Sequence, residues 1–357
     1  MQAALCWFRA PQSALLALAL AFPAPTIAQE AEASATFGPA SAASHLHVRG
    51  ATDIAAIAPV VLAFLETLPG LRVTVESWNT NELFEAAATT CRSGGPEADL
   101  LMSSAVDQFV ALVNDGCALP HQSAQTAALP ASHNWRGELF GVTREPAVIL
   151  YNRDLVSPDE APRSRFDLID LLRPAGTRFA GRVATYDIEA SGIGYLLAFT
   201  DSQQATTFGS LIEAFARTGA VATCCSAEIT DAVAEGRYLI AYNVLGSYAM
   251  SRAADDPRIA VVAPEDYTLV LSRAAMIPKG AANPTAAGLF IDFMLSDAGR
   301  AALAEQFLIA RDEAGGLPED DASLYRPIRL TPALLLGLDR QKRANFLARW
   351  RATFSRP

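Results

Sequence analysis

Lysine is almost missing from this chain: Lys279 and Lys342 are the only two among 357 residues. Arginine carries the remaining positive charge, which we attribute to a GC-rich genome. Cations are also outnumbered, with 28 Lys and Arg against 38 Asp and Glu, a formal net charge of −10. That balance excludes non-specific nucleic-acid binding, which needs a basic face. It leaves anionic small ligands open, because a local site can oppose the global charge. Histidine is scarce as well: His45, His47, His121 and His133 are the full set, and they show no ligand spacing on a helix. With no Cys-x-x-Cys pair either, zinc is not expected. Neither a Gly-x-Ser-x-Gly elbow nor a His-Glu-x-x-His motif occurs, which weakens an exported hydrolase, the enzyme alternative. We expect no catalysis and no cofactor.

Long apolar runs are missing too. The one candidate, residues 14–22, is half the roughly 20 residues a spanning helix needs and ends at Pro23 and Pro25. Arg9 precedes it, and Pro25-Thr26-Ile27-Ala28 places small residues at −3 and −1 before Gln29. A cationic start, a short apolar core and a small-x-small exit describe a secretory signal peptide over residues 1–28. The expected compartment is therefore the periplasm. Cys6 leaves with that segment, so Cys91, Cys117, Cys224 and Cys225 remain. Four cysteines in an oxidising compartment allow three pairings. Cys91–Cys117 is preferred, because both follow helical segments of adjacent β-α units. Cys224 and Cys225 are then either a vicinal bridge or two free thiols.

Residues 29–44, rich in Ala, Ser and Glu, read as a flexible leader. A regular pattern follows. His45 to Gly50 alternates as a strand, Ala51-Thr52-Asp53 is a turn and cap, and residues 54–68 have helical apolar spacing. Two more strand–helix pairs start at Leu71 and Ala98. Three β-α units in a row argue for a parallel sheet with helices packed on it. From Leu139 to Tyr151 extended segments lack an intervening helix, which suits a crossing into a second α/β block. That block includes a helix over 203–218, and a second crossing falls near 262–271. Residues 314–321 read as a polar linker and 333–354 as one basic amphipathic terminal helix. The expected organisation is lobe 1 from 45–142 and 271–357, and lobe 2 from 143–270.

Several pieces resemble a known family in order along the chain. They are Arg49-Gly50-Ala51-Thr52-Asp53, Phe64 to Val73, Asp99 to Ser104, Glu145-Pro146 with Tyr151-Asn152, and Tyr186-Asp187 with Ser191-Gly192-Ile193-Gly194-Tyr195. Tyr242 to Tyr248, Ile277-Pro278-Lys279-Gly280 and Phe290 to Ser296 complete the set. The chain resembles the periplasmic solute-binding proteins of ABC importers, in the group containing ferric-iron-binding and sugar-phosphate or phosphoglycerate-related members. The resemblance covers most of the chain after the leader. It implies a two-lobe, type II periplasmic-binding-protein fold, two α/β domains joined by a two-strand hinge, that passes a small molecule to a membrane permease as a monomer. Relatives of this kind also suggest a ligand sensor signalling to a membrane histidine kinase. Iron-binding members carry adjacent tyrosines as ligands. Here Tyr242 and Tyr248 flank a helix start instead, with Asn243 beside the first, a departure that puts iron in doubt because ferric iron favours anionic oxygens.

Ligands of open α/β sheets sit outside the carboxyl ends of the strands. Four strand–helix junctions place polar residues there: Thr52-Asp53, Asn79-Thr80-Asn81, Ser103-Ser104 and Ser191-Gly192. Helix N-termini present free N–H groups to phosphate or carboxylate. Arg144 would add a forked contact, while Glu145 and Asp187 would accept bonds from hydroxyls, and Asn243 joins the candidate set. A small, hydroxylated organic anion is the expected ligand. Each residue also has a structural explanation: Thr52, Asp53, Thr80 and Ser103 as helix caps, Ser191-Gly192 as a turn, Arg144 paired with an acid, Asp187 capping a turn. Trp78 and Trp135 read as packing.

Overall fold

Alternation of buried and partly exposed residues builds the first sheet. The computed structural model describes residues 31–174, 176–204, 206–310 and 324–354. Strands β1 (Ala33–Phe37) and β2 (Ser44–Gly50) lead into helix α1 (Ile54–Thr67), followed by β3 (Leu71–Ser77). Leu46 and Val48 of β2 and Leu71, Val73 and Val75 of β3 are buried on every second position, as a half-buried strand requires. Ile57, Val60, Val61 and Phe64 of α1 cover them, at the spacing that places four side chains on one helix face. Helix α2 (Thr80–Ser93), strand β4 (Leu100–Ser103) and helix α3 (Val106–Asn114) complete the three β-α units. β2 lies parallel to both β3 and β4. Beyond them come β5 (Ala118–Leu119), α4 (Ala124–Ala127), β6 (Asn134–Trp135) and β7 (Leu139–Gly141).

The flexible leader expected over 29–44 is corrected in its described part. β1 pairs antiparallel with β3, Ala33 opposite Ser77 through Phe37 opposite Val73. Without it β3 would present an unpaired row of edge N–H and C=O groups. Its Ala- and Ser-rich composition hides the strand, because small side chains carry almost no period-two signal.

Strand β8 (Glu145–Asn152), buried along its whole length, enters a second sheet. The chain then runs through α5 (Arg165–Leu171), β9 (Val183–Tyr186), α6 (Gly192–Gln204), α7 (Thr207–Thr218) and β10 (Val221–Thr223). The helix expected over 203–218 is α7, which starts four residues later because α6 runs on to Gln204. Next come α8 (Ser226–Ala234), β11 (Ile240–Leu245), α9 (Gly246–Asp255), β12 (Ile259–Val262) and β13 (Thr268–Leu271). β14 (Ala274–Pro278) returns to the first sheet between β4 and β7, covered by α10 (Pro284–Leu295) and α11 (Asp297–Glu305). Residues 142–144 and 272–273 therefore connect the two sheets. Residues 308–310 lie beside the first connection, with the Arg144 N–H donating to Leu308 O and Ala310 N–H to Arg144 O, both 2.8 Å.

The C-terminal segment departs from its expected place in lobe 1. β15 (Tyr325–Pro327) adds to the second sheet, parallel to β13. The single helix expected over 333–354 is broken into a 3-10 turn (Pro332–Leu334), α12 (Leu335–Leu338) and α13 (Arg340–Phe354). Asp339 causes the second break: it takes an extended ψ of 127° and its side chain accepts the Lys342 N–H at 3.0 Å, starting α13 afresh. The linker expected at 314–321 and the signal peptide lie outside the described residues. α13 packs Phe346, Trp350 and Phe354 against α6 and α7. In contrast, the Leu330 N–H reaches Ser132 O of the first lobe at 2.9 Å, and α12 rests on α3. The segment straps the two lobes together.

Under that strap Asp107 of α3 is buried, with Oδ1 lacking any hydrogen-bond partner. Burial pushes its carboxyl up to about 7, against backbone N–H bonds and the Arg343 charge. The folded chain therefore holds a proton that the unfolded chain releases near 3.8. Stability from this site is complete below about pH 4 and is lost as pH rises through 7, roughly 4 kcal/mol in all. Asp107→Asn should flatten that slope, measured by urea denaturation between pH 4 and 8; an unchanged slope would clear Asp107 of the role.

Candidate functional site

Six helix N-termini converge on one cavity of about 80 Å³ between the lobes. Lobe 1 contributes Asp53 (N-cap of α1), Asn79 and Thr80 (start of α2) and Ser104, just before α3. Lobe 2 contributes Ser191 ahead of α6, Cys225 and Ser226 at α8, and Leu245 at α9. This follows from the β-α connectivity of both sheets: strands run toward the gap and helices start there, so positive helix ends face inward.

Arg273 occupies the connection between β13 and β14 and also lines the cavity. It is 1% exposed and makes a forked pair with Glu145, itself fully buried: Nε to Oε1 2.8 Å, Nη2 to Oε2 3.2 Å. Its Nη1 donates to Ala51 O (2.6 Å) and Thr52 Oγ1 (2.8 Å). Thr143 and Ser247 hydroxyls donate to the Glu145 carboxylate. Burial opposes the Arg273 charge, but Glu145 and the surrounding phenols raise its pKa, so it stays cationic. Asp53 makes no side-chain cap bond to its own helix. Burial raises its carboxyl, with Arg273 and the Tyr248 hydroxyl pulling the other way. Glu32, also on the wall, is raised by burial and then by Asp53 and Glu82. Tyr186, pushed up to about 12 by burial, and Tyr248, raised likewise, are neutral phenols.

The lobes touch across this cavity. Gly192 N–H donates to Thr80 Oγ1 (2.8 Å), Asn79 Nδ2 to Ala190 O (3.2 Å), Asn81 Nδ2 to Glu189 O (3.0 Å) and Asp53 N–H to Tyr248 Oη (3.3 Å). This is a closed cleft.

Of the residues singled out from the sequence, Thr52, Asp53, Asn79, Thr80, Ser104, Ser191 and Tyr248 line the cavity. The others are not brought there. Ser103 is buried and accepts the Ala105 N–H, a capping role. Arg144 lies in the connection beside Ile309. Glu145 is consumed by Arg273. Asp187 accepts the Glu189 and Ala190 N–H groups of its own turn. The Gly192 amide is taken by Thr80. Tyr242 and Asn243 face the lobe 2 interior, where both side chains donate to Asp201. Asp201 is held in turn by Arg165 (2.9 Å), whose guanidinium sits 3.6 Å over the Tyr267 ring. The positive φ of Asn243, 65°, bulges β11 and turns Tyr242 away from the cleft. Sequence reasoning missed Arg273, Tyr186 and the α8 junction; Trp78 packs in the core, as expected, and also lines the cavity. A lone arginine between the apolar runs Thr268–Leu271 and Ala274–Pro278 was the available signal for the first.

Cys91 and Cys117 are bonded to each other, as are Cys224 and Cys225; the latter two line the cavity. Among the described residues no helix is long and apolar enough to cross a membrane.

Two α/β lobes closing on a cavity ringed by helix N-termini define a two-lobe periplasmic-binding-protein fold. The profile of the bacterial extracellular solute-binding proteins matches residues 46–308, and the chain belongs to that family. It is similar to the substrate binding protein of the ABC transporter from Agrobacterium tumefaciens, with 31% identity, a TM-score of 0.86, and 91% of this chain and 99% of that chain covered. Two more distant structures share the fold. Iron-bound HitA from Pseudomonas aeruginosa has 18% identity, a TM-score of 0.66 and coverage of 87% and 99%. The periplasmic binding protein AfuA from Actinobacillus pleuropneumoniae, with fructose-6-phosphate bound, has 14% identity, a TM-score of 0.69 and coverage of 88% and 100%. No curated protein matches the chain.

Proposed function

We propose that this protein captures a small organic anion in the periplasm and delivers it, unaltered, to the permease of an ABC importer. The carrying observation is the ring of helix N-termini from both lobes, with Arg273, around one closed cavity. The α8 end has no side-chain cap and so keeps its first-turn N–H groups for a ligand carboxylate or phosphate. Asp53 and Glu32 suit hydroxyl donors on the same ligand. Solute touching both lobes favours closure by its differential affinity for the closed form, which the permease then reads. Ferric iron fits less well: Tyr242 is committed to Asp201 inside lobe 2, and a buried guanidinium stands on the wall.

A thermal-shift screen with ferric iron, phosphosugars, phosphoglycerate and di- and tricarboxylates tests this. A true ligand at 100 times its Kd stabilises by about 2.7 kcal/mol. Ser191→Asp keeps an acceptor for the Gly194 N–H but puts an anion on the wall. It should weaken an organic anion by roughly 30–100-fold, equivalent to about 2–3 kcal/mol, with the fold intact. Protection by iron alone would overturn the reading.

A further inference from the structure

The Cys224–Cys225 bridge has no part in solute capture as described. It links neighbouring residues between β10 and α8, and both side chains line the cavity. Yet Cys225 is an exposed residue and Cys224 a half-buried one, so the bridge lies at the mouth of the cleft. Cys91–Cys117 differs: it lies within lobe 1, with Cys117 buried. Two neighbours bear on the chemistry of the exposed pair. Asn79, on the opposite lobe, directs Nδ2 at Cys224 Sγ across 3.9 Å. Cys225 is itself the N-cap residue of α8, whose uncapped positive end favours a thiolate.

We propose that Cys224–Cys225 is a thiol–disulfide exchange site at the mouth of the cleft, opened by a dithiol of the thiol–disulfide oxidoreductase class, and that opening it loosens the closed form. The effect on solute rests on the function proposed above; the exchange chemistry does not. A thiolate of the dithiol attacks Sγ of the exposed residue Cys225. The Cys224–Cys225 bond breaks, and its electron pair leaves on Cys224 Sγ, facing the Asn79 N–H. The second thiol of the reductant, deprotonated, attacks the mixed disulfide and releases Cys225 as a thiolate at the α8 N-terminus. The reductant departs as its own disulfide, and two electrons, with two protons, have passed to the pair. Opening frees the turn that presents Ser226, whose hydroxyl bonds the Tyr186 hydroxyl, and moves the sulfur that Asn79 reaches from lobe 1.

The test uses the oxidised protein without added solute, dithiothreitol as the dithiol probe, alkylation of new thiols and peptide mass spectrometry. Cys224 and Cys225 should label at least about tenfold faster than Cys91 and Cys117, because attack needs access to sulfur. Asn79→Asp keeps the oxygen that caps α2 but replaces the donor by an anion. It should slow opening of the vicinal bridge roughly threefold or more and leave Cys91–Cys117 unchanged. Hydrogen exchange at Gly192, whose N–H is held by Thr80, should rise at least about threefold in the singly reduced protein and equally in Cys224→Ala/Cys225→Ala. Joint opening of both bridges, or prior opening of Cys91–Cys117, overturns the exchange site. Unchanged Gly192 protection overturns its link to closure. None of these readings needs solute, so a ligand screen without hits would defeat the proposed function and leave this result to stand or fall separately.

Discussion

Arg273→Ala is expected to destabilise the protein by about 3–5 kcal/mol and to abolish solute capture. The size comes from what is left behind. Glu145 is fully buried and loses both arms of its forked partner, retaining only the Thr143 and Ser247 hydroxyls. An unpaired buried carboxylate costs far more than the pair contributes, since the pair itself offsets the desolvation of two charges. The Ala51 carbonyl and Thr52 hydroxyl also lose their donor, at the turn before α1. A double variant separates stability from binding. Arg273→Met with Glu145→Leu removes both charges and should recover the larger part of the lost stability, yet bind no anion, because the cavity has no guanidinium. Urea denaturation of the three solute-free proteins reads the first effect and titration calorimetry the second. An Arg273→Ala protein within about 1 kcal/mol of the parent would show that Glu145 is not held as a buried ion.

How far such a site can be read from sequence depends on whether its parts have local signals. The strand–helix rhythm of residues 45–113 does, because apolar period and punctuation agree: Pro69-Gly70 ends α1, and Gly94, at φ 69°, ends α2. The junctions therefore stood out, and Thr52, Asp53, Thr80, Ser104 and Ser191 were legible. What each does there was not. Whether a threonine hydroxyl meets a ligand or the Gly192 N–H depends on the opposite lobe, more than a hundred residues away in the chain. Adjacent base and acid misled in the same way: Arg144 and Glu145 are neighbours in sequence, but the Glu145 carboxylate is taken by Arg273, while the Arg144 backbone bonds Leu308 and Ala310. Tyr242 and Asn243 were misplaced by a bulge in β11, which has no compositional mark. The C-terminal strap was missed because its pairing with β13 rests on three residues that follow a long connection.

Gly192 carries the other large effect, and its two consequences run in opposite directions. It is the first residue of α6 and has no left-handed φ, so alanine suits the backbone and adds up to about 1 kcal/mol of helix propensity. Lobe 2 alone would accept the change. The closed cleft would not. A Cβ at this position meets Ala105 Cβ at 3.0 Å, Gln108 Nε2 at 2.8 Å and Asn81 Oδ1 at 3.0 Å, all on the facing lobe. Gln108 and Asn81 are tied to each other at 2.8 Å, and Ala105 is rooted in the backbone, so no neighbour yields cheaply. Overpacking of this kind costs roughly 1–3 kcal/mol, charged wholly to the closed state because opening relieves it. Gly192→Ala should therefore weaken solute binding about tenfold and Gly192→Val about a hundredfold, through a smaller closed population, with thermal stability of the solute-free protein equal or higher. Small-angle scattering at saturating solute should show a larger radius of gyration for the valine variant. If that variant binds as tightly as the parent, the contact between Thr80 and Gly192 is no part of the solute-bound state, and closure must take place around other residues.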